Sequence, residues 1–205
     1  MSGAKILVYD LETSPNIAYC WGKYDQNIPA FVKESSLMCV SHKWLGQKTT
    51  TVKTLPDFSG YKGGVLNMND EKITKYLWTL FDEADIVIAH NGAKFDQKVS
   101  RTKFLLSGLA PPSPYQNIDT LQQARKLFRF NSNKLDDLGK TLGLGRKVSH
   151  EGMGLWIKCM DGDMSAWKRM KDYARQDVVL LESVYYELRP WMTTGPNLGQ
   201  FEENP

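Results

Sequence analysis

With 205 residues, 41% apolar and 24% charged, the chain has the length and make-up of one globular domain with a proper core and a short tail. No apolar run nears the roughly eighteen residues of a membrane span, and MSGAKILVYD reads as the start of a strand, not a signal peptide, so a soluble cytoplasmic protein with no membrane contact is expected. Net charge is +3 but uneven: residues 94–190 hold 17 Lys/Arg against 11 Asp/Glu, a bias that suits a polyanion or, equally, a solvated lysine-rich surface.

KILVYD (5–10) predicts a buried strand. Pro15 and the turn formers of ETSPNIAYCWGKYDQN are expected to stop it near Thr13. LMCVSHKWL (37–45), ended by Gly46, and KTTTVKTL (48–55) predict a hairpin of two further strands, and DFSGYKGGVLN a loop. Asn69 or Asp70 can cap a helix over 71–84 with Ile73, Leu77, Leu80, Phe81 and Ala84 on one face. ADIVIAHN (84–91) reads as an internal, parallel strand. The next helix, about 94–108, is expected to bury Phe95, Val99, Thr102 and Leu106 and to end at Gly108.

APPSP reads as a rigid loop, 117–119 as a fifth short strand, and 120–130 and 135–142 as helices, the second closed by Gly143. The glycine-rich stretch 145–165 predicts no definite element. A long helix over 166–188 carries Tyr173, Asp177, Leu181 and Val184, and an irregular, mobile tail follows at 192–205. Cys20, Cys39 and Cys159 form no CxxC pair and read as reduced, buried thiols rather than a disulfide frame or zinc site. A hairpin followed by alternating strand and helix predicts an α/β three-layer domain over 1–191 with a mixed five-stranded sheet. Its site belongs at the carboxyl ends of central strands, where Asp10 and Asn91 fall.

Three segments hold the candidate chemistry. Asp10 and Glu12 are two apart on a strand and so share a face, though a lone D-x-E is usually a solvated strand end. Asp96 follows H-N-G-A-K-F, with Phe95 expected to anchor the helix in the core and Gly92 to permit a tight turn; the plain alternative is a first-turn acid favoured by the helix dipole. Tyr173 and Asp177 are neighbours at i and i+4, which an ordinary amphipathic helix would also give. Four carboxylates gathered in one cleft would repel one another unless divalent cations neutralised them, so such a cluster reads as a metal site. His90 receives no catalytic role. Gly143-Leu-Gly145-Arg146-Lys147 has no strand before it and is not a phosphate loop.

Taken together, D-L-E-T, H-N-G-A-K-F-D and Y-A-R-Q-D resemble the three motifs of the DEDD (DnaQ-like) 3′–5′ exonuclease superfamily of the ribonuclease H-like fold. Y-x-x-x-D in the third motif makes the resemblance one to its tyrosine (DEDDy) branch. N-I-D-T-L (117–121) and N-K-L-D-D-L-G-K-T-L-G-L (133–144) resemble its connecting segments, so the likeness spans about residues 4–190. D-L-E-T-S-P with WGKYDQN is most similar to phage-type and bacterial stand-alone members. Some of those continue after R-P-W into a cysteine-rich zinc ribbon; no cysteine follows R-P-W here, so roles that depend on it are not carried over.

The resemblance implies a 3′–5′ exonuclease that releases nucleoside 5′-monophosphates by a two-metal-ion mechanism. Asp10, Glu12 and Asp177 would hold a first Mg²⁺ or Mn²⁺, and Asp10 would bridge to a second, with Asp96 acting directly or through water. A phenol with a reference pKa of about 10 is no strong base at neutral pH, so Tyr173 would orient the attacking water. Candidate substrate contacts are Leu11, Thr13, Asn91, Lys94, Phe95 and Arg175, with Tyr9 and Trp156 as further rings that could meet bases. The partner implied is nucleic acid with a free 3′ end, single-stranded DNA before RNA, in a bacterial or phage-infected cytoplasm; a polymerase partner is left open. The rival readings are a non-catalytic nucleic-acid-binding module and an RNA-processing or endonucleolytic relative on the same fold.

Overall fold

The computed structural model describes residues 3–24, 27–148 and 151–193. Its frame is a five-stranded sheet of order β5-β4-β1-β6-β7: β1 Ile6–Thr13, β4 Leu37–Trp44, β5 Thr51–Thr54, β6 Ile86–Ala89 and β7 Gln116–Asp119. β1, β6 and β7 run parallel, while β4 lies antiparallel to β1 and β5 antiparallel to β4. The expected hairpin and mixed sheet are therefore present.

Strand periodicity sorts β1 between two layers. Leu7, Tyr9 and Leu11 join the core under α1 (Glu71–Glu83) and α2 (Asp96–Leu106), where Tyr9 meets Phe81 edge-on at 5.1 Å. Ile6 and Val8 face the core shared with α3 (Thr120–Leu127), α4 (Leu135–Thr141) and α6 (Met164–Leu188). Asp10 and Glu12 continue the Ile6–Val8 face past the end of that core, and α6 crosses the sheet over them. α6 begins where Asp163 caps the backbone N–H groups of Ser165 and Ala166.

Several expectations are corrected. The segment after Pro15 is not turn alone: β2 (Ile17–Tyr19) and β3 (Ala30–Lys33) pair as a separate two-stranded ribbon. The indefinite stretch 145–165 contains α5 (Met153–Met160), which buries Leu155, Cys159 and Met160. α2 begins at Asp96, two residues later than expected, and turns a different face inward: Asp96, Gln97, Ser100 and Phe104 are buried, whereas Phe95 and Leu106 are exposed. The apolar stripe misled because polar side chains are needed on the face next to the acid-bearing end of β1. Asn69, not Asp70, accepts the Glu71 N–H at the start of α1, while Asp70 accepts the Leu37 N–H and pairs with Lys103. Cys39 and Cys159 are buried, but Cys20, at the end of the ribbon's first strand, is exposed. The tail expected at 192–205 lies outside the described residues beyond Thr193. Among the described residues no helix is long and apolar enough to cross a membrane.

Candidate metal centre

One carboxylate oxygen each from Asp10, Glu12 and Asp177 lies within 4.8 Å of the others. The strand places the first two on one face, and α6 delivers Asp177, almost fully buried, from across the sheet. Asp96 comes from α2 and is equally buried. Its Oδ1 accepts the Leu11 N–H at 3.2 Å, so the backbone between Asp10 and Glu12 fixes it beside the other three.

The turn that delivers Asp96 has a local cause. Asn91 adopts a left-handed conformation with φ 65°, which asparagine tolerates better than most residues. Gly92 is required for space: a Cβ there would stand 2.5 Å from that of Ala89. The backbone N–H groups of Asn91 and Ala93 both donate to Asp119 at the end of β7.

Electrostatically the centre is under strain. Burial first, then repulsion from Glu12, Asp96 and Asp177, raises the Asp10 carboxyl well above its ordinary range. Burial and Asp177 push Glu12 up to about 8, and burial pushes Asp96 up to about 7. Carboxyls kept from ionising by desolvation and one another are suited to a divalent cation, whose charge removes both penalties. The donor set, hard oxygens only, fits Mg²⁺ or Mn²⁺.

One cation is already in contact. Lys147 places its ammonium 2.6 Å from Asp177 Oδ2 and 5.5 Å from the ring centre of Tyr173. Burial lowers its pKa, but Asp177, Asp10 and Glu12 outweigh that and raise it, so the charge is retained. Its backbone N–H donates to Asp136 at 2.7 Å, which holds the loop in place. Sequence reading missed Lys147. The available signal was a cation shortly after the α4 cap, in a stretch with no periodicity to orient it.

Tyr173 is buried one helical turn before Asp177 and packs edge-on against Trp156 at 6.0 Å. Burial and the neighbouring carboxylates raise its phenol far above the ordinary range, so it stays protonated and can act as a donor but not a base. His90 is held by Thr120 and the Asn133 carbonyl, and burial lowers it to about 4.

The proposed substrate contacts separate. The Leu11 and Tyr9 side chains lie in the core. Thr13 is half-buried at the end of β1, Asn91 is half-buried in the turn, and Lys94 and Phe95 are exposed beside Asp96. Phe95 therefore does not anchor α2; it projects into solvent next to the centre. Arg175 is exposed and pairs with Asp172. A cavity of about 650 Å³ adjoins the centre, lined in part by Asn91, Arg125, Asn133, Lys134 and Lys147.

The model of the RNase H superfamily matches residues 46–189. The chain belongs to the RNase H superfamily. That match covers well over half of the chain and includes Asp96, Tyr173 and Asp177, while Asp10 and Glu12 precede it on β1. Comparison with curated proteins found no match. Membership agrees with the mixed five-stranded sheet flanked by helices and points to a nuclease-type function, a chemistry to which divalent metals and an acidic cluster belong.

Proposed function

We propose that this RNase H superfamily member is a metal-dependent 3′–5′ exonuclease of the tyrosine branch. On this reading it removes nucleoside 5′-monophosphates from the 3′ end of single-stranded nucleic acid, DNA before RNA. The observation that carries the reading is the convergence of Asp10, Glu12 and Asp177 within 4.8 Å, with Tyr173 buried one helical turn from Asp177.

Asp10, Glu12 and Asp177 would hold the divalent ions, with Asp96 beside them. Bound Mg²⁺ or Mn²⁺ would lower the pKa of a water and stabilise charge on the phosphoryl oxygens. The chain's own residues supply the rest. The protonated Tyr173 phenol can donate a hydrogen bond that fixes the direction of the attacking water. Asp96 is held by the Leu11 N–H, so its carboxylate needs no reorganisation on binding. Lys147 brings a retained positive charge to the place where a phosphodiester adds negative charge. The basic lining supplied by Arg125, Lys134 and Lys147 supports a polyanionic substrate.

The test uses 5′-end-labelled single-stranded DNA and RNA of matched sequence, with and without Mg²⁺. A ladder receding from the 3′ end, abolished by chelator, is expected. Internal cuts alone would make the protein an endonuclease. Metal-independent binding without cleavage would make it a binding module.

A further inference from the structure

We propose that the β2–β3 ribbon is a stacking platform for single-stranded nucleic acid, set so that a strand with its 3′ end at the acids runs across it. The proposal rests on the exonuclease reading for that direction.

The ribbon is fastened at its base. The Ser14 N–H donates to the Ser36 carbonyl at 2.9 Å, the Ser35 N–H to Asn16 at 2.7 Å, and Lys103 of α2 to the Ser35 carbonyl. Beyond that base it shows rings to solvent: Trp21 is 94% exposed, Tyr24 74%, Tyr19 67% and Phe31 51%. Two strands alone are marginal in water, and folding gains little from rings left this open. Tyr19, paired with Ala30, and Phe31, paired with Ala18, open to opposite faces of the ribbon, and exposed rings on so small an element mark a contact surface.

Its surroundings favour nucleic acid over an apolar protein face. Lys23 stands 5.3 Å from the centre of the Tyr24 ring, and Lys33 lies on β3. Across a groove of about 390 Å³, Phe31 and Asn16 face Lys98, Val99 and Thr102 of α2. On the same helix Lys94 and Phe95 sit exposed beside Asp96. Lysines thus stand among the rings on the ribbon and on the facing helix, with Glu34 also lining the groove between them. Bases stack on aromatic rings whatever their identity, and lysines meet the phosphates between them. The path is short: Glu12 and Ile17 are five residues apart on one chain, at most about 17 Å. A strand of several nucleotides with its 3′ end at the acids is long enough to cover that path.

Trp21→Ala, Phe31→Ala and the double variant are compared with wild type for binding a labelled oligonucleotide of about a dozen nucleotides, DNA or RNA, by anisotropy in chelator. Each substitution is expected to raise Kd about fivefold or more, and the double variant further, with Trp21→Phe staying near wild type. Lys98→Ala should weaken binding and reduce the salt slope by about 1. Turnover of the p-nitrophenyl ester of thymidine 5′-monophosphate, with Mn²⁺, should be retained in the ring variants. Unchanged oligonucleotide Kd in the double variant, while wild type still hydrolyses the ester, would overturn the platform and leave the exonuclease reading standing. A wild type that binds the strand through these rings but hydrolyses neither ester nor strand would sink the exonuclease reading instead. A ribbon variant that alters only the self-association of the chain in sedimentation would make this a protein contact and overturn the proposal.

Discussion

Two sets of carboxylates lie at the carboxyl end of the parallel strands, and they are treated in opposite ways. Asp119, at the end of β7, receives four backbone N–H groups, from Asn91, Ala93, Leu121 and Gln122, at 2.9 to 3.3 Å. It caps α3 and ties the turn after β6 to the sheet. Asp10, Glu12 and Asp177, at the end of β1 and on α6, face one another, and Lys147 pairs with Asp177. A buried acid supplied with donors is a fastening. Acids turned toward one another repel, a cost that a bound divalent cation would remove.

The sharpest break would come from Asp10→Asn. Hydrolysis should fall about a thousandfold or more, while the melting temperature in chelator should be no lower than wild type, because a repelling charge is removed. A large loss of stability there would erase the distinction. Asp119→Ala should do the reverse. It orphans several buried N–H groups, costing about 2 kcal/mol or more, so melting should drop by roughly 4 °C or more while metal dependence persists. Tyr173→Phe, which keeps the ring on Trp156 but loses the donor, should lower kcat about 10- to 100-fold in a folded protein.

The smallest effects concern protons. Glu12 is raised from 4.5 to about 8, so its protonated form stabilises the metal-free fold below pH 4.5, and that contribution is lost as pH rises toward 8. Thermal melts in chelator should show this loss, and Mn²⁺ titration calorimetry at pH 7 in buffers of different ionisation enthalpy should show release of roughly one proton or more. His42 and His90 are lowered from 6.5 to about 4 by burial, so they remove stability as pH falls through that window. No histidine limb should appear in the chemistry-limited rate near 6.5.

What could be read in the sequence was whatever announces itself by local period. β1, β4, β6, α1 and α6 carry dense apolar alternation or a helical stripe, and their cores lie where those patterns put them. Asp10 and Glu12 sharing a face follows from strand geometry alone. The failures are tertiary. α2 carries an apolar stripe whose ends, Phe95 and Leu106, point outward while Val99 only edges the core, because the end of β1 needs Asp96 and Gln97 inward. The β2–β3 ribbon is too short and too exposed for alternation to show. Lys147 lies 30 residues from Asp177 in a loop without period, and only the packing of that loop against α6 brings the two together.

β1 has a further consequence. It is the middle strand of five, hydrogen-bonded on both sides, with Leu7, Val8 and Tyr9 wholly removed from solvent. Its amides should be among the last in the protein to exchange with deuterium, opening only when the entire domain does. The acids carried on such an element have no private way to loosen. On warming, turnover and tertiary structure should vanish at one temperature, with no preceding range in which a folded enzyme has gone idle.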